Sequence, residues 1–281
     1  MTLMLEGRPV ARAILDQARD DITGFVTQRG SVPSLAVVNT GNDPSAVAYA
    51  RAIARTAKSV GIPFLRIDLP AAVTMGEFDA AIEQLNQDET VAGIIVLQPL
   101  PPQIPKSRPS EIVAPAKDID GMTLVNIGLL AAGTATLVPS TPAGGVEILH
   151  HYQIPIAGKY VVIVGRSLVV GKPLAMMLLA EDATVTLCHS RTPNLKEFTR
   201  NADIVALAAG KPGLLTEDMV GPTSVVLDFG VTMVDGSMTG DADPTVAKAV
   251  AAFTPVPGGT GIVTNAILVR NIVAAIRGSI C

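Results

Sequence analysis

Seven runs rich in β-branched and aliphatic residues recur along the chain, most of them followed by a helix-length pattern. They are SLAVVNT (34–40), PFLRIDL (63–69), GIIVLQ (93–98), YVVIVG (160–165), ATVTLCH (183–189), DIVALAAG (203–210) and SVVLDFG (224–230). Most are almost continuously apolar. A strand covered by helices on both faces has no wet side, so such runs read as parallel strands. The spacing between them predicts helices over 8–29, 44–60, 76–87, 142–152, 171–181 and 194–201. This alternation predicts an α/β fold with parallel sheets. At 281 residues the chain has room for one or two domains. The Pro-rich stretch LPPQIPKSRPSEIVAPAKDIDG (100–121) separates two groups of β/α units, so a boundary is expected near 120–140. A last helical pattern covers TNAILVRNIVAAIR (264–277).

Charge and composition exclude several classes. Lys+Arg 21 against Asp+Glu 25 leaves a net charge of −4 with no long basic run, so nucleic acid is not an expected partner. The apolar runs reach about eight to ten residues, too short for a bilayer span, so no membrane is expected. The N-terminal stretch reads as mature protein rather than a signal peptide, and a cytoplasmic location is expected. Cys188 and Cys281 have the spacing of neither a metal site nor a disulfide framework, and His150, His151 and His189 form no metal pattern. No G-x-S-x-G elbow is present, so a serine nucleophile is not expected.

Four stretches carry chemistry. In YVVIVGRSLVVGKPLAMMLL (160–179) a buried-strand pattern meets Gly165, then a short loop, then Gly171 at a helix start. Glycines let backbone approach a phosphate, and a helix N-terminus offers free N–H groups. The pattern is G-x5-G, not G-x-G-x-x-G, and an ordinary βα turn has the same features. One unit later, His189, Ser190 and Arg191 end a strand where a doubly wound fold meets the adenosine ribose. Ser and Arg in place of an acid suit a 2′-phosphate and favour NADP, although a cation also suits NAD's pyrophosphate. In PAKDIDG (115–121), Asp118 and Asp120 are either turn formers or acceptors for a paired N–H edge. TPVPGGTG (254–261) is either a loop or a rigid surface for packing against a ring.

Together and in this order, the pieces resemble the bifunctional methylenetetrahydrofolate dehydrogenase/cyclohydrolase family, FolD. The resemblance covers nearly the whole chain. It includes GNDPSAVAY (41–49), GIIVLQPLP (93–101), PAKDIDG with Asn126 and Gly128, and PSTPAGG (139–145). VGRSLVVGKPLA, ATVTLCHSRT, ADIVALAAGKPG, VVLDFGV, GDAD and TPVPGGTG continue it. It implies two α/β domains. Residues 1–138 with 255–281 would form a folate-binding catalytic lobe, and 139–254 a Rossmann-like NAD(P) domain. It implies oxidation of 5,10-methylenetetrahydrofolate to the methenyl form with hydride transfer to NADP, then hydrolysis to 10-formyltetrahydrofolate. One-carbon metabolism, purine biosynthesis and a homodimer are further implications. By residue, Tyr49 matches the cleft tyrosine and Asp120 the pterin-binding aspartate, with Gln98, Pro257, Gly258 and Gly259 lining the substrate. Gly165, Arg166, Ser167, Gly171, Ser190, Arg191 and Val231 match the cofactor contacts.

The chain departs from the family in its catalytic lobe. The family reads Tyr-x-x-x-Lys, the lysine handling protons in the cyclohydrolase step; Ile53 stands there. The glutamine that partners the lysine is Leu97, and Gln98 is expected to point the other way. Ser140 replaces a cysteine, and Thr260, Ile262 and Val263 alter the final loop. Arg51, Arg55 and Lys58 fall off Tyr49's helix face, which leaves Lys117 or a group from elsewhere as a substitute. The expectation is a dehydrogenase whose cyclohydrolase activity is weak or lost. The alternatives are full bifunctionality, a paralogue acting on another one-carbon carrier, and a non-catalytic NADP/folate-binding protein.

Overall fold

The computed structural model describes residues 2–278; Cys281, one of the two cysteines noted above, and the outer ends of the expected catalytic lobe lie outside them. Along the chain come β1 (Leu3–Met4), α1 (Gly7–Arg29), β2 (Ser34–Thr40), α2 (Pro44–Ser59), β3 (Phe64–Leu69), α3 (Met75–Gln87) and β4 (Val91–Val96). Next are α4 (Arg108–Ile112), α5 (Leu124–Ala131), α6 (Ser140–His151), β5 (Tyr160–Val164), α7 (Gly171–Ala180), β6 (Thr184–Cys188) and α8 (Leu195–Thr199). The remainder is β7 (Ile204–Leu207), β8 (Val225–Asp228), β9 (Thr232–Val234), β10 (Ser237–Thr239), α9 (Val246–Ala249), β11 (Ala252–Phe253) and α10 (Thr260–Gly278).

The chain folds into two compact units. One comprises Arg12–Ser140 and the segment from Asn265 onward. Its parallel sheet has the order β3-β2-β4. Side chains alternate across that sheet, so Leu35, Val37, Ile95 and Leu97 face one core with α2 and α10, while Ala36, Val38 and Ile94 face another with α3. Local signals set the helix starts. Asp43 accepts from the Ser45 and Ala46 amides ahead of α2, and Thr74 with Glu77 forms a capping box on α3.

The other unit comprises the residues up to Ala11 and Thr141–Thr264. Its six-stranded sheet, β1-β11-β8-β7-β5-β6, is parallel throughout, and β9 and β10 form a separate antiparallel hairpin. Val162, Val164, Val205, Leu207 and Val226 fill its core with Leu215, Val246 and Phe253.

The compact units divide the chain differently from the expected domains, most of all near its two ends. Residues 2–11 and 255–264 lie with the six-stranded sheet, not the catalytic lobe. The reason is hydrogen bonding: Leu3 pairs with Ala252, the Leu5 amide donates to Phe253 O, and the Gly7 amide donates to Gly258 O. The unit boundaries therefore fall inside α1 and α10. Of the described helices, α10 is long and apolar enough to cross a membrane by length and composition. Most of it is buried in the fold, where Leu268, Val269 and Ile272 pack on Ile95 and Leu97, as a core helix does.

Candidate active site

The first cluster lies in the three-stranded unit. Helix α2 buries Ala46, Ala50, Ile53 and Ala57, a stripe at helical spacing, and leaves Tyr49 at its margin. Ile53 and Leu97, each 3% exposed, sit in one apolar cluster with Ile119, Leu137 and Leu268. The positions expected to hold a polar pair are thus continuous core. Gln98 turns outward, where its Oε1 accepts from the Leu100 amide. Arg51, Arg55 and Lys58 are exposed, off the buried stripe. Lys117 is no substitute: its Nζ donates to Leu85 O at 2.9 Å and Asp88 O at 2.7 Å, so it closes the end of α3. It also lines a cavity of about 1350 Å³ at the N-terminal ends of β2 and β4, bordered by Arg29, Ser31, Thr90 and Val91. Tyr49 and Gln98 belong to the opposite, C-terminal ends of those strands.

The two aspartates of PAKDIDG differ in their surroundings. Asp118 is buried and forms the turn, its Oδ2 accepting from the Thr123 amide and Asn126 Nδ2. Asp120 makes no ion pair among the described residues. Burial, and then the Asp118 carboxylate, push its pKa up to about 6. The Ser140 hydroxyl opposes that shift, although its Oγ meets no partner at hydrogen-bonding geometry. Burial, and then the Asp120 carboxylate, push the Tyr49 phenol well above its ordinary value, although 37% of the residue's surface reaches solvent. The structure thus brings Tyr49 and Asp120 together. A half-buried carboxyl beside a phenol can accept a paired N–H edge and donate one hydroxyl.

Sequence reading missed the residue that holds this arrangement. Asn271 on α10 is buried and donates from Nδ2 to Ile119 O and Val138 O, each at 2.8 Å. The available signal was a polar residue three and four positions after Leu268 and Ile267, on the apolar face of the last helix.

The second cluster lies in the six-stranded unit, at the C-terminal ends of β5 and β6. Gly165 has φ +140°, and a Cβ there would strike the Ala208 carbonyl. Ser167 Oγ accepts from the Val170 amide at 3.1 Å and the Gly171 amide at 3.5 Å, closing the turn into α7. Arg166, Ser167, Ser190 and Arg191 are exposed, and neither arginine forms an ion pair among the described residues. Two free guanidiniums and two hydroxyls beside a helix start suit phosphate groups. His189 acts locally, its Nδ1 accepting from the Arg191 amide at 3.1 Å. Val231 is exposed beyond the end of β8. Asp228 Oδ1 accepts from the Gly230 and Asp241 amides, and Oδ2 from the Ala242 amide. Asp241 accepts from the Ala209, Gly210 and Lys211 amides. In the 254–261 loop, Thr260 Oγ1 donates to Asp228 O, and Gly258 and Gly259 sit beside Pro257.

A parallel six-stranded sheet with a glycine turn and unpaired cations at its strand ends, joined in one chain to a second α/β unit with a three-stranded parallel sheet, defines an α/β protein equipped for a dinucleotide. Its family follows from likeness to known proteins. Residues 5–120 match the tetrahydrofolate dehydrogenase/cyclohydrolase catalytic domain and residues 139–279 that family's NAD(P)-binding domain. The bifunctional protein FolD of Roseiflexus sp. (strain RS-1) is 46% identical over 97% of this chain and 96% of its own. The structure of the bifunctional FolD enzyme from Campylobacter jejuni superposes with TM-score 0.96 at 36% identity, covering 99% of each chain. That of the Trypanosoma brucei enzyme, complexed with NADP cofactor and inhibitor, gives 0.94 at 33% identity, covering 99% of this chain and 98% of the other. The chain belongs to the tetrahydrofolate dehydrogenase/cyclohydrolase family and is an enzyme of that kind.

Proposed function

We propose that this enzyme oxidises 5,10-methylenetetrahydrofolate to 5,10-methenyltetrahydrofolate with NADP as acceptor, and that its cyclohydrolase step is weak. The observation that carries the second half is the packing of Ile53 and Leu97 into one apolar core. Among the described residues, that cluster holds only apolar side chains, and loss of a positioned acid/base typically costs about 10²–10⁴ in rate. The oxidation depends instead on orientation. Asp120 accepts the N–H edge of the pterin and Tyr49 bounds the ring, with Gln98 and the Pro257–Gly258–Gly259 stretch as further substrate contacts. Arg166, Ser167, Gly165 and Gly171 hold the cofactor's pyrophosphate, Ser190 and Arg191 its 2′-phosphate, and Val231 a ring. When bound, the nicotinamide supplies the hydride acceptor. A cytoplasmic homodimer working in one-carbon supply for purine biosynthesis fits this reading.

A second reading is full bifunctionality, producing 10-formyltetrahydrofolate. The relatives' names favour it, because proteins 46% and 47% identical to this chain are called bifunctional. Two assays on one sample separate the readings: NADP⁺-dependent absorbance gain with methylenetetrahydrofolate, and decay of methenyltetrahydrofolate. Oxidation without accelerated decay supports the first reading. Both activities establish the second. Binding of folate and NADP⁺ with neither activity would mean a binding protein.

A further inference from the structure

We propose that Ser140 is a positioning residue for Asp120: when folate is bound, its otherwise unpaired hydroxyl turns to the carboxylate and holds it toward the folate's N–H edge. The inference rests on the folate reading above. Ser140 opens α6, is 2% exposed, and its Oγ has no hydrogen-bond partner among the described residues. Buried hydroxyls rarely stay unpaired, so one that does marks a working position.

The segments carrying Ser140 and Asp120 are clamped together from two sides. Asn271 bridges Ile119 O and Val138 O. Gly121 packs so closely on the Val138–Pro139 backbone that no Cβ fits there. The residue after Ile119 and the residue after Pro139 are therefore held next to each other, independently of their own side chains. Three groups are electrostatically coupled to the Asp120 carboxyl: the Tyr49 phenol from α2, the Asp118 carboxylate on its own segment, and the Ser140 hydroxyl from α6. Helix α10 contributes neutral Asn271, and no cation pairs with Asp120 among the described residues. Burial and Asp118 both disfavour the charged form, so the hydroxyl is the group that supports it.

The test is the pH dependence of methylenetetrahydrofolate oxidation by NADP⁺ for wild type, Ser140→Ala and Ser140→Cys. The acid limb of kcat/KM, expected near pH 6 in the wild type, moves up by about one unit in S140A. That gives about a five-fold loss at pH 6 and almost none at pH 8, carried by KM rather than kcat. The thiol is a weak donor, so S140C falls between. If S140A fails to fold, the S140C limb decides. An equal loss at both pH values means a merely structural hydroxyl and overturns the inference, as does an unmoved limb in an active variant. A wild type that turns nothing over overturns the folate reading and the inference with it.

Discussion

At the scale of single residues, Asp120 works against the stability of its own fold. Its folded pKa of about 6 lies above the ordinary carboxyl value of 3.8, so between those limits the folded state keeps a proton that the unfolded state has released. Stability from this group therefore falls as pH rises from about 4 to 6, and the penalty is complete above that window. Asp120→Asn removes the penalty. At pH 7–8 the variant is expected to be more stable than wild type by about 1–2 kcal/mol in urea unfolding, allowing for partial screening, with the gain gone below about pH 4. A carboxyl kept at such a cost is the mark of a working group. The pair Ile53 and Leu97 shows the reverse balance. Ile53→Lys alone buries an ammonium against leucine and lowers the melting temperature. Combined with Leu97→Gln, which supplies a partner, it is expected to raise methenyltetrahydrofolate hydrolysis on the order of tenfold or more.

At the scale of elements, loops are set by buried carboxylates. β7 stops at Leu207 although the apolar run continues to Gly210, because the Ala209, Gly210 and Lys211 amides turn onto Asp241. Asp228 does the same at the end of β8 and ties it to Asp241, Ala242 and Thr260. Burial pushes Asp228's pKa up, against the pull of the Ala242, Asp241 and Gly230 amides. Asp228→Asn turns an amide N–H₂ toward N–H donors. The expected loss is roughly 3 kcal/mol in denaturant unfolding, with weaker NADP⁺ binding. Not every element was legible. Helix α5 exposes Leu124, Val125 and Leu129, so its apolar sequence has no helical stripe to read. The hairpin β9–β10 turns at Asp235–Gly236, both at positive φ, but its three-residue strands are too short to show alternation.

At the scale of the whole molecule, the cofactor reading has a thermodynamic consequence. NADP⁺ at 100 times its dissociation constant stabilises the folded state by about 2.7 kcal/mol, read as a rise in melting temperature. Arg191→Ala is expected to shrink the NADP⁺ effect more than the NAD⁺ effect, because its guanidinium lies where the 2′-phosphate is expected. The α/β class, the strands from 34 to 228 and the order of motifs were determined by the sequence alone. Apolar periodicity and glycine position are local properties, and they survive in a one-dimensional reading. Only the tertiary structure decided that residues 2–11 join the six-stranded sheet, since β1 is two residues long and owes its existence to β11. It also separated the turn-forming Asp118 from Asp120, and made Ile53 and Leu97 one core. Those outcomes depend on contacts between residues far apart in the chain, such as Asn271 with Ile119 and Val138, which no local pattern encodes.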